Sequence, residues 1–149
     1  MAIDRMDWHN GAEDFPKDLP PEAGGTHIGM FLCWIINNNL EGHLHKTDSK
    51  ESISKVRSRV MSGTEFLIKE CDEKLWEEDI EAECLDFVKH YYESNKYYSD
   101  YEKALVANEP SIYHVQDNWE NFDKLAPYID LAFDKWQASK NKKWWQLWR

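Results

Sequence analysis

The longest apolar run of the chain lies between Gly24 and Leu40 and has the residue spacing of a buried helix. Isoleucine, phenylalanine and leucine recur there every three or four residues, and methionine, cysteine and tryptophan fill the positions between them. A helix that is apolar on all sides has to be covered by other elements. The pattern therefore predicts a central helix from about Thr26 to Asn38, which the Thr26 hydroxyl caps and the asparagines at 37–39 end.

Shorter amphipathic patterns follow this run and predict further helices. Ser62 and Glu65 have the spacing of a capping box, which indicates that a helix starts directly after Ser62. Helical spacing continues from 80 to 107, and a similar capping arrangement at Asp117 predicts a last helix. These elements together predict a mostly α-helical fold, with a single compact helical domain over residues 1–139.

Two segments depart from the helical pattern. The prolines and glycines between residues 1 and 25 exclude regular helix and predict an irregular strap, which Trp8 and other apolar residues pin to the core. Residues 111–115 alternate in polarity and include β-branched types, so they predict a short strand or an extended connector. The predicted fold therefore contains at most a short strand pair.

The last ten residues, 140–149, form a basic, tryptophan-rich tail whose composition differs from the rest of the chain. The tail contains Trp144, Trp145 and Trp148 together with four basic residues. Tryptophan is strongly enriched at binding hot spots, so one interpretation is a docking peptide for a partner protein. The alternatives are weak attachment to a membrane surface and a tail that folds back over the acidic part of the chain.

Composition excludes several classes of function. The net charge of -10 argues against nucleic acid as a partner, because phosphates would be repelled. The central run would form a helix of about 22 Å, shorter than the ~30 Å core of a bilayer, so no stable membrane association is predicted. Cys33, Cys71 and Cys84 share no metal-type spacing, and the first residues do not resemble a signal peptide. We therefore expect a reduced, cytoplasmic protein with buried thiols.

Residues 70–86 are the most acidic part of the chain and contain a single positive charge, Lys74. One interpretation is a solvated helix face, which is the usual role of a charge run. The other is a surface that attracts a basic partner protein by long-range electrostatics, which salt would screen. The predicted partner-binding residues of this surface are Asp72, Glu73, Glu77, Glu78, Asp79, Glu81 and Glu83.

The histidines are the candidates for acid–base chemistry or metal binding. His9 lies in the predicted strap and His27 opens the central helix. We expect both rings to hydrogen-bond to backbone or carboxylate groups, the alternative being an acid–base pair or a pair of ligands. His43 and His45 have H-x-H spacing, but no Asp, Glu or Cys at a suitable spacing completes a site. The sequence therefore predicts no metal site and no cofactor.

Several motifs carry a family resemblance, among them D-x-x-D-W-H, T-H-I-G-M-F-x-x-W and Y-H-V-x-D-x-W-E-N-F. Together they resemble a family of small uncharacterised bacterial proteins over a range from about Asp4 to Trp136. The polar residues of the family pattern are His9, Thr26, His27, Asp72, Tyr113 and Asp117. In size and setting, such proteins are similar to the immunity proteins of bacterial toxin systems.

Three functional hypotheses follow. The one we expect is an immunity-type protein, not an enzyme, that binds a basic toxin acting in the cytosol and occludes its active site. The second is an enzyme whose acid–base or metal constellation would be His9, His27, Asp72 and Asp117. No nucleophile elbow, phosphate loop or zinc motif accompanies those residues. The third is an adaptor that works through the tryptophan-rich tail.

Overall fold

Helix α2 (Thr26–Asn37) lies at the centre of the computed structural model, which describes the backbone of residues 1–147 and the side chains of residues 1–142. The other α-helices are α1 (Met6–Asn10), α3 (His43–Asp48), α4 (Lys50–Arg57), α5 (Gly63–Glu70), α6 (Leu85–Tyr91), α7 (Lys96–Leu105) and α8 (Trp119–Leu147). The strands are β1 (Ala2–Arg5) and β2 (Lys74–Trp76), and 3-10 turns occur at Pro21–Gly25, Glu77–Asp79, Ala82–Cys84 and Ile112–His114. The fold is mostly α-helical, as the sequence predicts.

Every residue of α2 except Asn37 is buried, which confirms the prediction of a central helix covered on all sides. The helix also ends at the predicted asparagines, where Asn39 adopts a φ of 58°. The prediction that Thr26 caps the helix is wrong, because Thr26 is itself the first helical residue. Gly25 occupies the cap position, in a conformation close to helical that follows directly from the preceding 3-10 turn.

Helix α5 packs against α2 at very close range because each helix has a glycine at the contact. A Cβ atom on Gly29 would lie 2.4 Å from the backbone nitrogen of Thr64, and one on Gly63 would lie 1.8 Å from the carbonyl oxygen of Gly29. The two backbones therefore touch, and a larger residue does not fit at either position. The Ser62 hydroxyl accepts a hydrogen bond from the backbone N–H of Glu65 (3.0 Å), which confirms the predicted start of α5.

Aromatic side chains of α6, α7 and α8 cover another side of α2. The Phe31 ring contacts Tyr97 of α7, and the Trp34 ring contacts Phe87 of α6 and an aromatic ring of α8. The indole N–H of Trp34 donates a hydrogen bond to the Asp130 carboxylate of α8 (2.8 Å). The large apolar rings are therefore buried while the polar indole nitrogen keeps a partner.

Helix α8 passes Pro127 without ending there. Asn118 caps its start by accepting a hydrogen bond from the backbone N–H of Asn121 (2.8 Å), so the prediction of a cap at Asp117 is wrong by one residue. The predicted domain end at residue 139 falls inside this helix, whose backbone continues into the basic tail. Within the described residues, none of the helices is both long enough and apolar enough to cross a lipid bilayer.

The N-terminal strap contains a strand and a short helix. Strand β1 pairs with β2 in antiparallel fashion, with Asp4 opposite Leu75, which agrees with the prediction of at most a short strand pair. The prediction that residues 1–25 contain no regular helix is wrong, because helix α1 forms ahead of the prolines, which begin only at Pro16. The prediction that Trp8 is buried is wrong, because the residue is 54% exposed and its ring faces the Arg5 guanidinium at 5.8 Å.

Residues 111–115 do not form the predicted strand or connector but contain the 3-10 turn Ile112–His114. The Ser111 hydroxyl accepts a hydrogen bond from the backbone N–H of Tyr113 (3.1 Å), and this local bond favours a turn over an extended chain. The turn brings the Tyr113 ring against Phe15 of the N-terminal strap.

Ile35 of α2 is fully buried and provides a test of the central position of this helix. We expect Ile35→Ala to lower the free energy of unfolding by about 2–5 kcal/mol, because the truncation leaves a cavity in a packed core. Leu131→Ala removes a similar side chain at a position that is 55% exposed, and it should change stability by less than about 0.5 kcal/mol. Urea denaturation followed by circular dichroism measures both variants, and equal losses would contradict the central position of α2.

Candidate functional site

A buried carboxylate, that of Asp4, lies at the centre of a polar cluster near the N-terminal end of α2. Asp4 is only 3% exposed. Its Oδ1 atom lies 2.8 Å from Nε2 of His9 and accepts a hydrogen bond from the backbone N–H of Arg5 (2.8 Å). Its Oδ2 atom accepts hydrogen bonds from the hydroxyls of Tyr92 (2.5 Å) and Tyr98 (2.9 Å). The pairing of β1 with β2 holds this residue in place.

His27, in the first turn of α2, faces the same carboxylate and is fully buried. Its Nε2 atom lies 3.4 Å from Oδ2 of Asp4 and 3.4 Å from the Tyr98 hydroxyl, distances longer than those of good hydrogen bonds. Its Nδ1 atom has no hydrogen-bond partner among the described residues. Tyr97 fixes the backbone at this point by donating a hydrogen bond to the carbonyl oxygen of His27 (2.6 Å).

His9, on α1, is the outer member of the cluster, with a side chain that is 15% exposed. Its Nδ1 atom lies 2.8 Å from the hydroxyl of Tyr113, and its ring meets the edge of His27 with centroids 4.4 Å apart. These histidines, the carboxylate and three tyrosines form one group of six side chains, the Asp4 cluster. Its members are Asp4, His9, His27, Tyr92, Tyr98 and Tyr113.

The protonation states of the Asp4 cluster follow from burial and hydrogen bonding. Burial alone would raise the pKa of Asp4, but the close contacts and charge interactions with His27 and His9 outweigh it and hold this pKa well below its ordinary value. Burial lowers the pKa of His27, and the neighbouring carboxylate offsets this only in part. The pKa values of Tyr92 and Tyr98 are raised, mainly by burial and secondly by the negative charge of Asp4. The cluster therefore presents an ionised carboxylate, protonated phenols and a buried imidazole that favours its neutral form.

Sequence reasoning identified only part of the Asp4 cluster. It singled out His9, His27 and Tyr113, and it predicted that both histidines bond to backbone or carboxylate groups. His9 lies 2.8 Å from the Asp4 carboxylate, whereas His27 has only a contact of 3.4 Å with it. It missed Asp4 itself, although this residue begins the D-x-x-D-W-H motif, and it missed Tyr92, which directly follows α6, and Tyr98 on α7. The tyrosines carried no usable signal, because they lie 88 and 94 residues from Asp4 in the chain.

The other polar residues of the family pattern lie apart from this cluster. Thr26 is buried in the first turn of α2 without a hydrogen bond to the Asp4 carboxylate. Asp72 lies in a left-handed turn with a side chain that is 90% exposed, and it forms an ion pair with Lys74. Asp117 precedes α8 and lines a different surface, together with Ser62. The catalytic constellation that would have combined His9 and His27 with Asp72 and Asp117 is therefore not assembled.

The predicted partner-binding carboxylates are mostly at the surface. Glu77 and Glu81 are half-buried, whereas the exposed members are Asp72, Glu73, Glu78 and Glu83. Asp79 is buried, so its assignment to an exposed face is wrong. The physical reason is that its Oδ2 atom accepts a hydrogen bond from the backbone N–H of Trp76 (2.7 Å), within a 3-10 turn and not a helix.

A second buried cluster forms around His45. Nε2 of His45 lies 2.7 Å from Oδ1 of Asp79 and 3.8 Å from the sulfur of Cys71, while Nδ1 lies 3.0 Å from the Ser49 hydroxyl. The prediction that nothing completes a group around the H-x-H pair is therefore wrong for His45, because partners 26 and 34 residues away supply a thiol and a carboxylate. The pKa of the Cys71 thiol is raised, mainly by burial and secondly by the negative charge of Asp79, so the thiol stays protonated. His43 is exposed and takes no part.

The predictions for Trp144, Trp145 and Trp148 concern side chains that lie outside the described residues. The backbone of the tail is helical as far as Leu147.

These features define a small helical domain with a buried carboxylate–histidine–tyrosine cluster. The chain belongs to the family described as a domain of unknown function, DUF7832, whose model matches residues 2–115. This match confirms the resemblance to an uncharacterised domain family, although it ends before the Trp136 that the motifs reach. It contains the whole Asp4 cluster and the acidic segment. No curated protein and no solved structure matches the chain.

Asp4→Asn tests how far the cluster depends on one charge. The variant keeps the size of the side chain but replaces an acceptor oxygen by an NH2 group among several donors. We expect the free energy of unfolding to fall by about 3–5 kcal/mol, the usual cost of breaking a buried charged network. Asp7→Asn, at an exposed position two residues beyond β1, is the matched control and should have little effect. Urea denaturation of both variants gives the comparison, and a stable Asp4→Asn protein would contradict the central role of this carboxylate.

Proposed function

We propose that this protein is an immunity-type inhibitor, which binds a basic protein toxin in the cytoplasm and occludes its active site. The observation that supports the proposal is a run of carboxylates without ion-pair partners at the protein surface. This acidic surface consists of Glu73, Glu77, Glu78, Glu81 and Glu83, and none of these residues forms an ion pair within the described part of the chain. A net charge of -10 reinforces its potential.

Unpaired carboxylates along one short segment create a negative potential that extends into solvent. Such a potential increases the rate of association with a basic partner, and the effect decreases as salt screens it. Exposed ion pairs within the chain would have reduced this potential, as the pair between Asp72 and Lys74 does beside the acidic surface. The acidic surface thus retains its charge for a partner.

Buried contacts hold the segment that carries this surface. Asp79 bonds to the backbone of Trp76 and to His45, which fixes the turn that contains Glu77 and Glu78. A surface that is ordered before binding loses less entropy when a partner docks. The role of Asp79 in the proposal is therefore to support the acidic surface from inside, not to contact the partner.

The cytoplasmic setting is part of the proposal. Cys33, Cys71 and Cys84 are all buried and free, a state that fits a reducing compartment. A toxin that acts there on nucleic acid or nucleotides would have a basic substrate cleft, because its substrate carries phosphates. Carboxylates that enter such a cleft occupy the positions of the phosphates and thereby block the active site.

Charge reversal of the acidic surface tests the proposal. The protein is co-expressed with the product of the neighbouring gene, and the association rate of the pair is measured at low and high salt. Changing Glu77, Glu78, Glu81 and Glu83 together to Lys should reduce the low-salt association rate by about 10-fold or more. Asp79 is left unchanged because its loss would disturb the fold.

The matched control changes four carboxylates elsewhere, all of them exposed, to Lys, namely Glu13, Glu22, Glu102 and Glu109. Both variants have the same net charge, so a loss confined to the first identifies the surface and not the total charge. An unchanged association rate in the first variant would contradict the proposed contact. Truncation before Lys142 would then test the adaptor hypothesis for the tail.

A further inference from the structure

We propose that Asp4, His9 and His27 bind a divalent transition-metal ion such as Zn2+. One carboxylate oxygen and two imidazole nitrogens from these residues lie within 4.8 Å of one another. The inference goes beyond the proposed inhibitory function, and it involves none of the residues of the acidic surface.

The distances within the cluster fit ligands around one ion. Imidazole nitrogen and carboxylate oxygen bind Zn2+ at about 2.0–2.2 Å, which places neighbouring ligand atoms about 3.0–3.5 Å apart. Nε2 of His27 lies 3.4 Å from Oδ2 of Asp4, within this range, and Nε2 of His9 lies 2.8 Å from Oδ1, slightly closer than the range. The two imidazole planes are inclined at 85°, so the rings approach the carboxylate from different directions. Small shifts of the side chains therefore admit an ion between them.

The charge balance of the site also favours a cation. Buried carboxylates in proteins are paired with a positive group or coordinate a metal. Among the described residues, the Asp4 carboxylate forms no ion pair with a lysine or arginine side chain, and the basic side chains close to it are those of the two histidines. His27 uses its buried nitrogens poorly, since Nε2 has only contacts of 3.4 Å and Nδ1 has no hydrogen-bond partner. A metal ion would supply both the missing charge and a strong partner for Nε2.

Outer hydrogen bonds hold two of the three ligands in orientation, as is typical of metal sites. The Tyr113 hydroxyl lies 2.8 Å from Nδ1 of His9, so as an acceptor it would keep the proton on Nδ1 and leave the lone pair of Nε2 for the metal. Tyr92 and Tyr98 donate to Oδ2 of Asp4 and hold the carboxylate plane. These tyrosines act as positioning residues.

The ligand types define the class of metal. Two imidazoles and one carboxylate suit Zn2+, Fe2+, Co2+ or Mn2+, whereas Mg2+ and Ca2+ prefer oxygen ligands throughout. Three protein ligands leave at least one coordination position for water or a substrate. His9 is partly exposed on α1, which gives an ion a route into the cluster from solvent.

Titration of the chelator-stripped, full-length protein with Zn2+ by calorimetry tests the proposal, together with metal analysis after dialysis. We expect one ion per chain. Tyr113→Phe removes only a hydroxyl and should weaken binding by about 10–100-fold. His9→Gln removes a ligand and should weaken it further. His90→Gln, at an exposed histidine, and Cys71→Ser, in the His45 cluster, should leave the affinity unchanged.

Substitution with Co2+ separates the two buried clusters. A site with nitrogen and oxygen ligands shows d–d absorption without a thiolate-to-cobalt charge-transfer band. Appearance of that band, with its loss in Cys71→Ser, would place the metal at the His45 cluster and overturn the proposal. Absence of stoichiometric Zn2+ binding, or full binding in both His9→Gln and Tyr113→Phe, would overturn it as well. Circular dichroism shows whether each variant is folded. If His9→Gln is not folded, the Zn2+ affinity of Tyr113→Phe decides whether the proposal holds.

Discussion

The complete burial of α2 is the constraint on which the rest of the structure depends. A helix without a solvent-facing side needs cover from every direction, and several other elements supply it. Glycines at positions 29 and 63 let the α5 backbone touch it, while aromatic rings of α6, α7 and α8 fill the wider space on another side. The same burial draws His27 into the interior, where a polar side chain needs partners, and Asp4 is the group that faces it.

Two buried carboxylates near the two-stranded sheet have similar surroundings. Asp4 on β1 and Asp79 after β2 each accept a hydrogen bond from a backbone N–H and lie within 2.8 Å of a histidine Nε2. The third member of each group differs. In the Asp4 group it is a second imidazole, and in the Asp79 group it is a protonated thiol. The first group is the proposed metal site, and the second fixes the turn that carries the acidic surface.

The residues that match the DUF7832 family model contain both of these groups. The long helix α8 lies outside the matched residues, and its basic end carries the tail. The proposed inhibitor surface and the proposed metal site therefore both belong to the family domain, but they share no residue. Variants of the acidic surface and variants of the metal ligands test the two proposals separately.

The sequence by itself determined the elements that depend on local pattern. The apolar run of α2, the cap at Ser62 and the helical fold class were all predictable, because side-chain spacing and capping act over a few residues. The tertiary structure alone decided which polar groups meet. It joined Asp4 to tyrosines 88 and 94 residues away, buried Asp79 beside His45, and left Asp72 in solvent. The physical reason is that such contacts depend on how helices pack against α2, which no local spacing of residues encodes.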